Sequence, residues 1–546
     1  MVRDNRRIAA PENCLSPNSF RESKDLKPLV DDKGLRCDDR SFKALKSISL
    51  HVGIVPTVTG SAYIECGKTK IICSVNGPRD VLHKNESSAK GQLFCEFKYA
   101  MFSCTERQPY MPTDEEQAIS KTIQDALEPV ILLHKFPKSR LDIIILVLED
   151  DGGAISSAIT CAGAALSNAG VEMYDLPIGC SLVHCDSQFL VDPTANEELY
   201  SKTVKDCAKI AIAMMVEYKS QIIFMDSCGS VNQGLLSESL KILQTSCQQI
   251  LTYIRHCLKQ HVEDIRAENE EESKEGSMSK KAETQLKLFQ PQKYLSAFLE
   301  NDIRLGNRTI TEFRAVLINT NPIDTANGSA LVKIGDTSVI CGIKAELTNP
   351  NPDEPNKGFF VPNVNLTPIC SNKYQPGPPT EQAQVYSQMV MDLWKNSSFI
   401  DATNLCVAEG KLSWCLYADM TCISYDGNAL DACILALMAA LRSTKLPEVV
   451  VDDQSNKIEV KETEVGLAVD FFVFSATYAV LDGRAIADPS LEEESLAESS
   501  VTVFLKDSEE MSVHATGSVK EELLFQCIDN SRTRFSNVKA LIENLN

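Results

Sequence analysis

The chain has 546 residues, a formal net charge of −21 and 20 cysteines. This length exceeds what one hydrophobic core organises and predicts two domains. The acidic balance excludes a general attraction to phosphate backbones, so any nucleic-acid contact has to be a local basic patch.

Cysteine spacing argues against a metal or disulfide framework. No two cysteines are separated by two residues, and many, such as Cys161 and Cys433, lie in apolar runs. Free cysteine packs like a small apolar group, so we expect buried thiols in a reducing compartment, with no metal site and no cofactor. The absence of a bilayer-length apolar run or a signal-type core predicts a cytoplasmic or nuclear protein without a membrane partner.

The first predicted elements are an arm and a hairpin. Residues 1–30 contain charged residues and prolines but no sustained apolar periodicity, which predicts a flexible arm. The first domain is predicted over 31–262. Within it, Gly60–Val75 reads as two strands around a turn at Gly67. A polar loop follows, and its basic residues Arg79, His83, Lys84 and Lys90 are candidate RNA contacts. A solvated charged loop is the other interpretation.

A helix and a buried strand come next. Thr113 is a predicted N-cap with Glu116 completing a capping box, and Asp114 and Glu115 fall in the first helical turn. A strand then ends in an acidic glycine turn, Glu149–Gly153, before a small-residue helix. A glycine turn at a helix N-terminus can cradle phosphate, but the acidity of this turn opposes it.

The first half closes with a loop, two strands, a helix and a linker. The loop is Asp192–Glu198, the strands lie around 210–215 and 221–225, and the helix runs from Ser237 to about Lys259. Residues 263–288 are charge-rich and predict an interdomain linker.

The same landmarks recur in a second predicted domain over 289–546. The copies are a hairpin over Gly328–Ile343, a turn at Asp426-Gly427-Asn428 and a loop at Asp488-Pro489-Ser490. A helix start at Thr380-Glu381-Gln382-Ala383 aligns with Glu116-Gln117-Ala118. The constant order and slowly growing spacing of the copies predict two homologous domains.

These landmarks resemble the RNase PH family, and within it the ring subunits of the eukaryotic RNA exosome. In the first half, Ala126-Leu127-Glu128-Pro129 and the run from Ala169 to Leu176 are similar to the subunit family called mRNA transport regulator. In the second half, Gly377-Pro378-Pro379 and the run from Tyr425 to Cys433 are similar to a ribosomal-RNA-processing subunit family.

The resemblance implies a fold and a set of partners. The implied fold is α+β: two tandem RNase PH-like domains with a ribosomal protein S5 domain 2-like βαβα core, each a mixed sheet packed with helices. The implied partners are other RNase PH-like ring subunits, S1/KH cap subunits, an associated hydrolytic nuclease and RNA in a central channel, in the nucleus, nucleolus and cytoplasm. The family carries the two subunits on separate chains, so the sequence is either a genuine fusion or a merged gene model.

The resemblance also implies where catalytic residues would lie, because active relatives use arginines to hold phosphate and an aspartate pair near the scissile bond. The positions matching the arginine pair are Asp114 and Glu115, and those matching a further arginine are Ile155 and Leu430. The positions matching the aspartates, aligned from the following strand, are Thr203 and Lys209 in the first half and Glu494 and Ser500 in the second. Alignment from the preceding loop instead selects Glu198 and Val204.

Replacing cations by acids at an anion site turns attraction into repulsion of similar size. The sequence therefore predicts a non-catalytic ring component that supports 3′–5′ RNA processing and degradation, including rRNA processing and mRNA turnover. The alternatives are an active phosphorolytic 3′–5′ exoribonuclease completed by a neighbouring chain, and a stand-alone RNA-binding module.

Overall fold

The computed structural model describes residues 8, 10–11, 13–20, 36, 38–80, 90–185, 188–204, 207–229, 231–273, 289–299, 304, 308–451, 458–507 and 509–543. Contacts divide the chain into an N-terminal unit, Ser23–Ala267, and a C-terminal unit, which combines Glu268–Asn546 with Met1–Glu22.

The N-terminal unit holds two sheets. Its strands are β1 Ile48–Val52, β2 Gly60–Cys66, β3 Thr69–Asp80, β4 Gln92–Tyr99, β5 Ser139–Glu149, β6 Pro177–Cys185, β7 Gln188–Val191, β8 Ala208–Met215 and β9 Gln221–Gly229. Its helices are α1 Asp114–Leu127, α2 Ala154–Asn168, α3 Ala195–Thr203 and α4 Gln233–Ser273, which continues past Ala267. A 3-10 turn covers Leu133–Lys135.

The first sheet is mixed and has the strand order β1-β2-β3-β5-β4, with β4 parallel to β5. The second is antiparallel, in the order β7-β6-β8-β9. Helix α2 packs on strands of both sheets and is buried along nearly its whole length, because its small Ala, Ser, Gly and Cys side chains allow close approach. The start of α2 is therefore held at the centre of the unit.

The C-terminal unit repeats this plan. Its strands are β10 Val316–Thr320, β11 Gly328–Ile334, β12 Thr337–Thr348, β13 Phe359–Leu366, β14 Cys406–Ala408, β15 Leu412–Ser424, β16 Lys445–Val451, β17 Ile458–Gly466, β18 Val473–Leu481, β19 Arg484–Ala487, β20 Ser499–Lys506 and β21 Glu509–Thr516. Its helices are α5 Pro291–Leu299, α6 Glu381–Ser397, α7 Ala429–Ser443, α8 Leu491–Leu496 and α9 Glu521–Glu543, with 3-10 turns over Pro17–Phe20 and Ala402–Leu405.

The mixed sheet runs β10-β11-β12-β15-β13 with β14 on β15, and the antiparallel sheet runs β19-β18-β20-β21. Helix α7 takes the place of α2. The predicted hairpin repeat is confirmed, because Gly60 pairs with Val75 and Gly328 pairs with Ile343 in matching registers. The hairpin β16–β17 is an addition that the sequence pattern did not predict.

Part of the predicted flexible arm is structured. The Leu15 amide donates to the Leu347 carbonyl, and the Leu347 amide donates to the Leu15 carbonyl, both at 2.8 Å. Strand β12 extends past the end of β11, which leaves the backbone of Leu347 without a strand on that side, and Leu15 fills the edge. Residues 13–20 thus belong to the C-terminal unit.

The predicted linker and the predicted free thiols also need correction. Helix α4 runs to Ser273, so residues 263–273 are helical where a charged linker over 263–288 is predicted; residues 274–288 lie outside the described ranges. Cys185 and Cys207 form a disulfide, because β6 and the start of β8 bring them side by side, while the other cysteines in the described part of the chain are free.

No helix among the described residues is long and apolar enough to cross a bilayer. Among those residues, no cluster of His, Cys, Asp or Glu is placed to hold a metal ion.

Candidate functional site

In each unit, the glycine turn before the central helix meets the Asp-Pro loop. A Cβ on Gly152, at φ +90°, would lie 2.6 Å from the Pro193 carbonyl oxygen. A Cβ on Gly427, at φ +80°, would lie 2.5 Å from the Pro489 carbonyl oxygen. Only glycine fits at either position, so two motifs that are distant in sequence form one site, once per unit.

The aspartate of each Asp-Pro loop is structural. Asp192 accepts from the Lys46 amide at 3.0 Å. Asp488, which is 1% exposed, accepts from the Arg314 amide and side chain and from the Asn428 side chain at 2.8–2.9 Å. Burial alone would raise the pKa of Asp488, but the hydrogen bonds and charge of Arg314 bring it below its ordinary value.

A buried arginine clamps the following glutamate in each unit. Arg36 donates to both carboxylate oxygens of Glu197 at 2.8 and 2.5 Å. Arg304 donates to those of Glu493 at 3.0 and 2.6 Å. Both glutamates also complete capping boxes at the starts of α3 and α8. The sequence did not predict these pairs, although the segments 36–40 and 304–308 begin and end with arginine and precede the two repeated hairpins.

The next glutamate in each unit occupies the N-terminus of the central helix. Glu198 Oε1 accepts from the Gly153 amide at 2.9 Å, and its Oε2 lies 2.6 Å from Lys209 Nζ. Glu494 Oε2 accepts from the Tyr425 hydroxyl at 2.8 Å and from the Asn428 amide at 3.4 Å. A helix N-terminus with free amides attracts anions, and here an internal carboxylate already fills that position.

These contacts resolve the two alignments of the aspartate pair. Glu198 and Glu494 make the same contact, so Glu198, and not Thr203, is the counterpart of Glu494. Lys209 pairs with Val183 in β6 and Ser500 with Ala479 in β18, at matching distances from the strand ends, so Lys209 and Ser500 correspond. The first half has five more residues between these two positions, three in the longer helix α3 and two between α3 and β8, which is why neither anchor aligned both positions.

The remaining predicted positions do not join the site as anion ligands. Thr203 bonds back to carbonyls of α3, and Ser500 pairs with the Thr516 hydroxyl at 2.7 Å. Ile155 is half-buried and packs on the N-terminal core, while Leu430 is buried in the C-terminal core. Val204 ends α3 as its C-cap.

Helix α1 begins with Asp114 and Glu115, the positions that the resemblance matches to the arginine pair, and helix α6 is its equivalent in the C-terminal unit. Thr113 and Thr380 are the N-caps, and Ser120 and Ser387 accept the amides of Phe97 and Val364 from equivalent strands. The capping box predicted at Thr113 is confirmed.

This correspondence corrects the sequence alignment by two residues: Asp114 and Glu115, both exposed, match Glu381 and Gln382. Gln382 donates to the hydroxyls of Tyr386 and Tyr425 at 2.8 and 3.4 Å and accepts from that of Tyr374 at 3.1 Å. This network of one amide and three phenols reaches Glu494 through Tyr425, whose hydroxyl donates to that carboxylate.

The electrostatics of the turn oppose a bound anion. Burial, and then the charge of Glu198, raise the pKa of Asp150. Among the described residues that contact this turn, Lys46 Nζ donates to the carbonyls of Asp151 and Pro193 at 2.7 and 3.0 Å, and Lys209 pairs with Glu198. The local positive charge is therefore already engaged by protein oxygens.

The predicted RNA-contact loop connects the end of β3 to the start of β4, and both lie beside the start of β5. Arg79 is half-exposed at the end of β3 and pairs with Asp142, which also accepts from Arg140 at 2.5 Å. Lys90 lies just before β4, on the other side of β5. His83 and Lys84 lie outside the described residues. Two guanidinium groups share one carboxylate here, and Arg140 stacks 4.4 Å from the Phe94 ring centre.

Comparison with known proteins reports the same duplication. Residues 44–172 and 312–447 each match domain 1 of the 3′ exoribonuclease family, and residues 472–534 match its domain 2. The chain is 40% identical over 255 residues to exosome complex component rrp43 of Schizosaccharomyces pombe, covering 46% of this chain and 94% of that protein. It is 39% identical over 200 residues to exosome complex component Rrp42 of Sulfurisphaera tokodaii, covering 37% of this chain and 73% of that protein.

Among solved structures, the chain is similar to one of an Archaeoglobus fulgidus exosome with RNA bound to the active site. The identity is 31% and the TM-score 0.42, over 47% of this chain and 97% of that one. From the repeated domain matches and the identity over nearly the full length of a relative, the chain belongs to the RNase PH family of 3′ exoribonucleases, and it carries that fold twice.

Proposed function

We propose that this chain is a non-catalytic, double-domain component of the RNA exosome ring, which supports 3′–5′ processing and degradation of RNA. Its relatives named above are exosome components. One observation carries the non-catalytic part of the proposal: the helix N-terminus that could receive an anion is bonded to Glu198 in one unit and to Glu494 in the other.

Phosphorolysis brings two anions, orthophosphate and RNA, to one point, which demands positive charge first. The positions that the family resemblance selects offer no positive charge to a bound anion. Asp114 and Glu115 are acids, and Ile155 and Leu430 are apolar. Lys209 is already paired with Glu198. The implied roles are architectural: contact with neighbouring RNase PH-like subunits, S1/KH cap subunits and an associated hydrolytic nuclease, in nucleus, nucleolus and cytoplasm.

The direct test is a phosphorolysis assay with the purified full chain, single-stranded RNA and orthophosphate. We expect no nucleoside diphosphate to be released. Phosphate-dependent release that disappears in Glu198→Gln or Glu494→Gln would establish the active-enzyme alternative instead. In a reconstituted exosome, Glu494→Gln and the exposed control Glu498→Gln should leave RNA turnover equal.

The basic residues Arg79, Lys90 and Arg140, near the end of β3 and the starts of β4 and β5, support RNA contact as part of this role. Arg79 and Arg140 share Asp142, so that carboxylate balances only one of the two guanidinium charges, and the Phe94 ring lies beside Arg140. An Arg79→Ala, Lys90→Ala double variant should weaken RNA binding by the complex and make it less sensitive to salt. Unchanged affinity and salt slope would remove this loop from the RNA path.

A further inference from the structure

Described residues of the N-terminal segment lie over the face of the C-terminal mixed sheet that is opposite to helix α7. Along β15, Leu416 and Ala418 point into the core with α7, whereas Cys415 and Tyr417 point to the opposite face. Ile8 and Cys14 pack on that opposite face, against Val361, Cys415 and Tyr417. The pairing of Leu15 with Leu347 holds Cys14 in this position.

Cys14 is the half-exposed member of a thiol cluster whose other member is buried. The Tyr417 hydroxyl donates to Cys14 Sγ at 3.2 Å, and Cys14 packs against the cluster that contains Cys415 and Tyr417. Cys415 itself is 0% exposed. Two cysteines 401 positions apart in the chain are thus packed in one cluster, and of the two only Cys14 is accessible to a reagent.

The surroundings favour the thiolate of Cys14. Hydrogen bonds from Cys415, and then from Tyr417 and Thr348, lower the pKa of Cys14 to about 6, against the opposing effects of burial and of Glu346. The same hydrogen bond and burial raise the pKa of Cys415 far above its ordinary value. A thiolate beside a protonated thiol is the arrangement in which the first sulfur attacks an oxidant and the second resolves the product.

We propose that Cys14 and Cys415 form a peroxide-sensitive thiol pair that cross-links the N-terminal segment to strand β15. The Cys14 thiolate attacks a hydroperoxide, the O–O bond breaks, and hydroxide or an alkoxide leaves, which gives a sulfenic acid on Cys14. The Cys415 sulfur then attacks the Cys14 sulfur, the S–O bond breaks, and the hydroxyl leaves as water with the thiol proton. The thiols lose two electrons, and the hydroperoxide gains them.

Other cysteines provide contrast. Burial raises the pKa of four other cysteines, Cys73, Cys180, Cys341 and Cys433. Cys185 and Cys207 are already joined. Cys228 is exposed and serves as a control for accessibility alone.

The test treats the full chain with hydrogen peroxide at pH 7, blocks remaining thiols with N-ethylmaleimide, and maps cross-linked peptides by mass spectrometry without reduction. We expect a peptide pair joining residues 14 and 415 in the wild type and in Cys228→Ser, and none in Cys14→Ser or Cys415→Ala. Sulfinic acid on Cys14 without the cross-link would overturn the proposal.

A second measurement does not depend on the fold of the cysteine variants. Alkylation of Cys14 by iodoacetamide should rise through about pH 6, because at pH 7 its thiolate fraction is about 30-fold that of a thiol of ordinary pKa near 8.5. Tyr417→Phe, which removes one hydroxyl, should move the midpoint upward. A wild-type midpoint near 8.5 would contradict the thiolate on which the cross-link depends.

Discussion

At the scale of the residue, chemically identical side chains take different roles because of their partners. Glu197 and Glu198 are neighbours on α3, yet Glu197 is clamped by Arg36 and Glu198 bonds the Gly153 amide and Lys209. Glu493 and Glu494 divide the same two roles in the second unit. An acidic residue near a position that is catalytic in relatives can therefore have a purely structural role.

The Asp488 carboxylate is predicted to stabilise the C-terminal unit. Asp488→Ala should lower the free energy of unfolding of the C-terminal unit by about 3–5 kcal/mol, because it leaves the buried Arg314 guanidinium without its main partner. Both tryptophans, Trp394 and Trp414, lie in this unit, so their fluorescence during urea unfolding follows it selectively. Glu498→Ala, at an exposed position, should change stability little; an equal loss in both variants would refute the assigned role.

The same carboxylates give the unit a defined pH dependence. Burial raises the pKa of Glu493, but the hydrogen bonds and charge of Arg304 bring it below its ordinary value, as Arg314 does for Asp488. Their stabilisation is complete above the unfolded pKa values near 4 and is lost as the pH falls through the lower folded values. Asp426 and Asp431, whose pKa values burial raises, oppose part of this loss.

We therefore expect the urea midpoint, followed by tryptophan fluorescence, to fall between about pH 5 and 3. Glu493→Gln should be less stable at pH 7 and show a shallower fall over that range. A Glu493→Gln profile parallel to the wild type would mean that the Arg304 pair does not set the slope.

At the scale of the element, each site depends on a turn and a loop that touch through backbone atoms. Gly152 and Gly427 combine positive φ with a neighbouring carbonyl where a Cβ would sit. This contact aligns the start of the central helix with the glutamate that caps it, so the geometry of both pseudo-sites comes from two turns and not from one motif.

Two glycine-to-alanine variants can separate the cost of a left-handed backbone from the cost of a Cβ that clashes with a neighbouring carbonyl. Gly410 also has positive φ, +71°, but no heavy atom lies within 4 Å of its added Cβ. Gly410→Ala should cost about 1–2 kcal/mol from the left-handed backbone alone, and Gly427→Ala should cost clearly more because the Pro489 carbonyl has to move. Equal losses, measured by tryptophan fluorescence in urea, would show that the turn and loop do not press together.

At the scale of the whole molecule, the chain is two copies of one fold, and its N-terminal segment belongs to the second copy. Residues 1–22 group with the second unit although the first unit follows them directly in sequence. The two units are therefore joined by two chain connections, one on each side of the N-terminal unit.

The pairing of the N-terminal segment with strand β12 can be tested at Leu15. Leu15→Pro removes the amide that donates to Leu347 and should cost the C-terminal unit about 1 kcal/mol, with faster hydrogen exchange in β12 around Leu347. Leu15→Ala keeps the backbone bonds, and because the side chain is 52% exposed it should change little. Unaltered exchange in Leu15→Pro would show that the segment does not pair with β12 in solution.

The sequence by itself determined the duplication, the hairpins, the capping box at Thr113 and the family. Each of these rests on local periodicity, turn chemistry or short strings of residues, which are readable without knowing what lies across the fold. The fate of residues 14–20 was not readable in this way, because the edge of β12 that they cover is created only when β11 ends short of it.

The tertiary structure alone decided which acids serve the fold and which occupy the helix N-termini. The Arg36–Glu197 and Arg304–Glu493 pairs join residues 161 and 189 positions apart. The energy of a buried charge depends on such distant partners, and a linear sequence fixes the residue types but not their juxtaposition. The Cys14–Cys415 pair arises for the same reason.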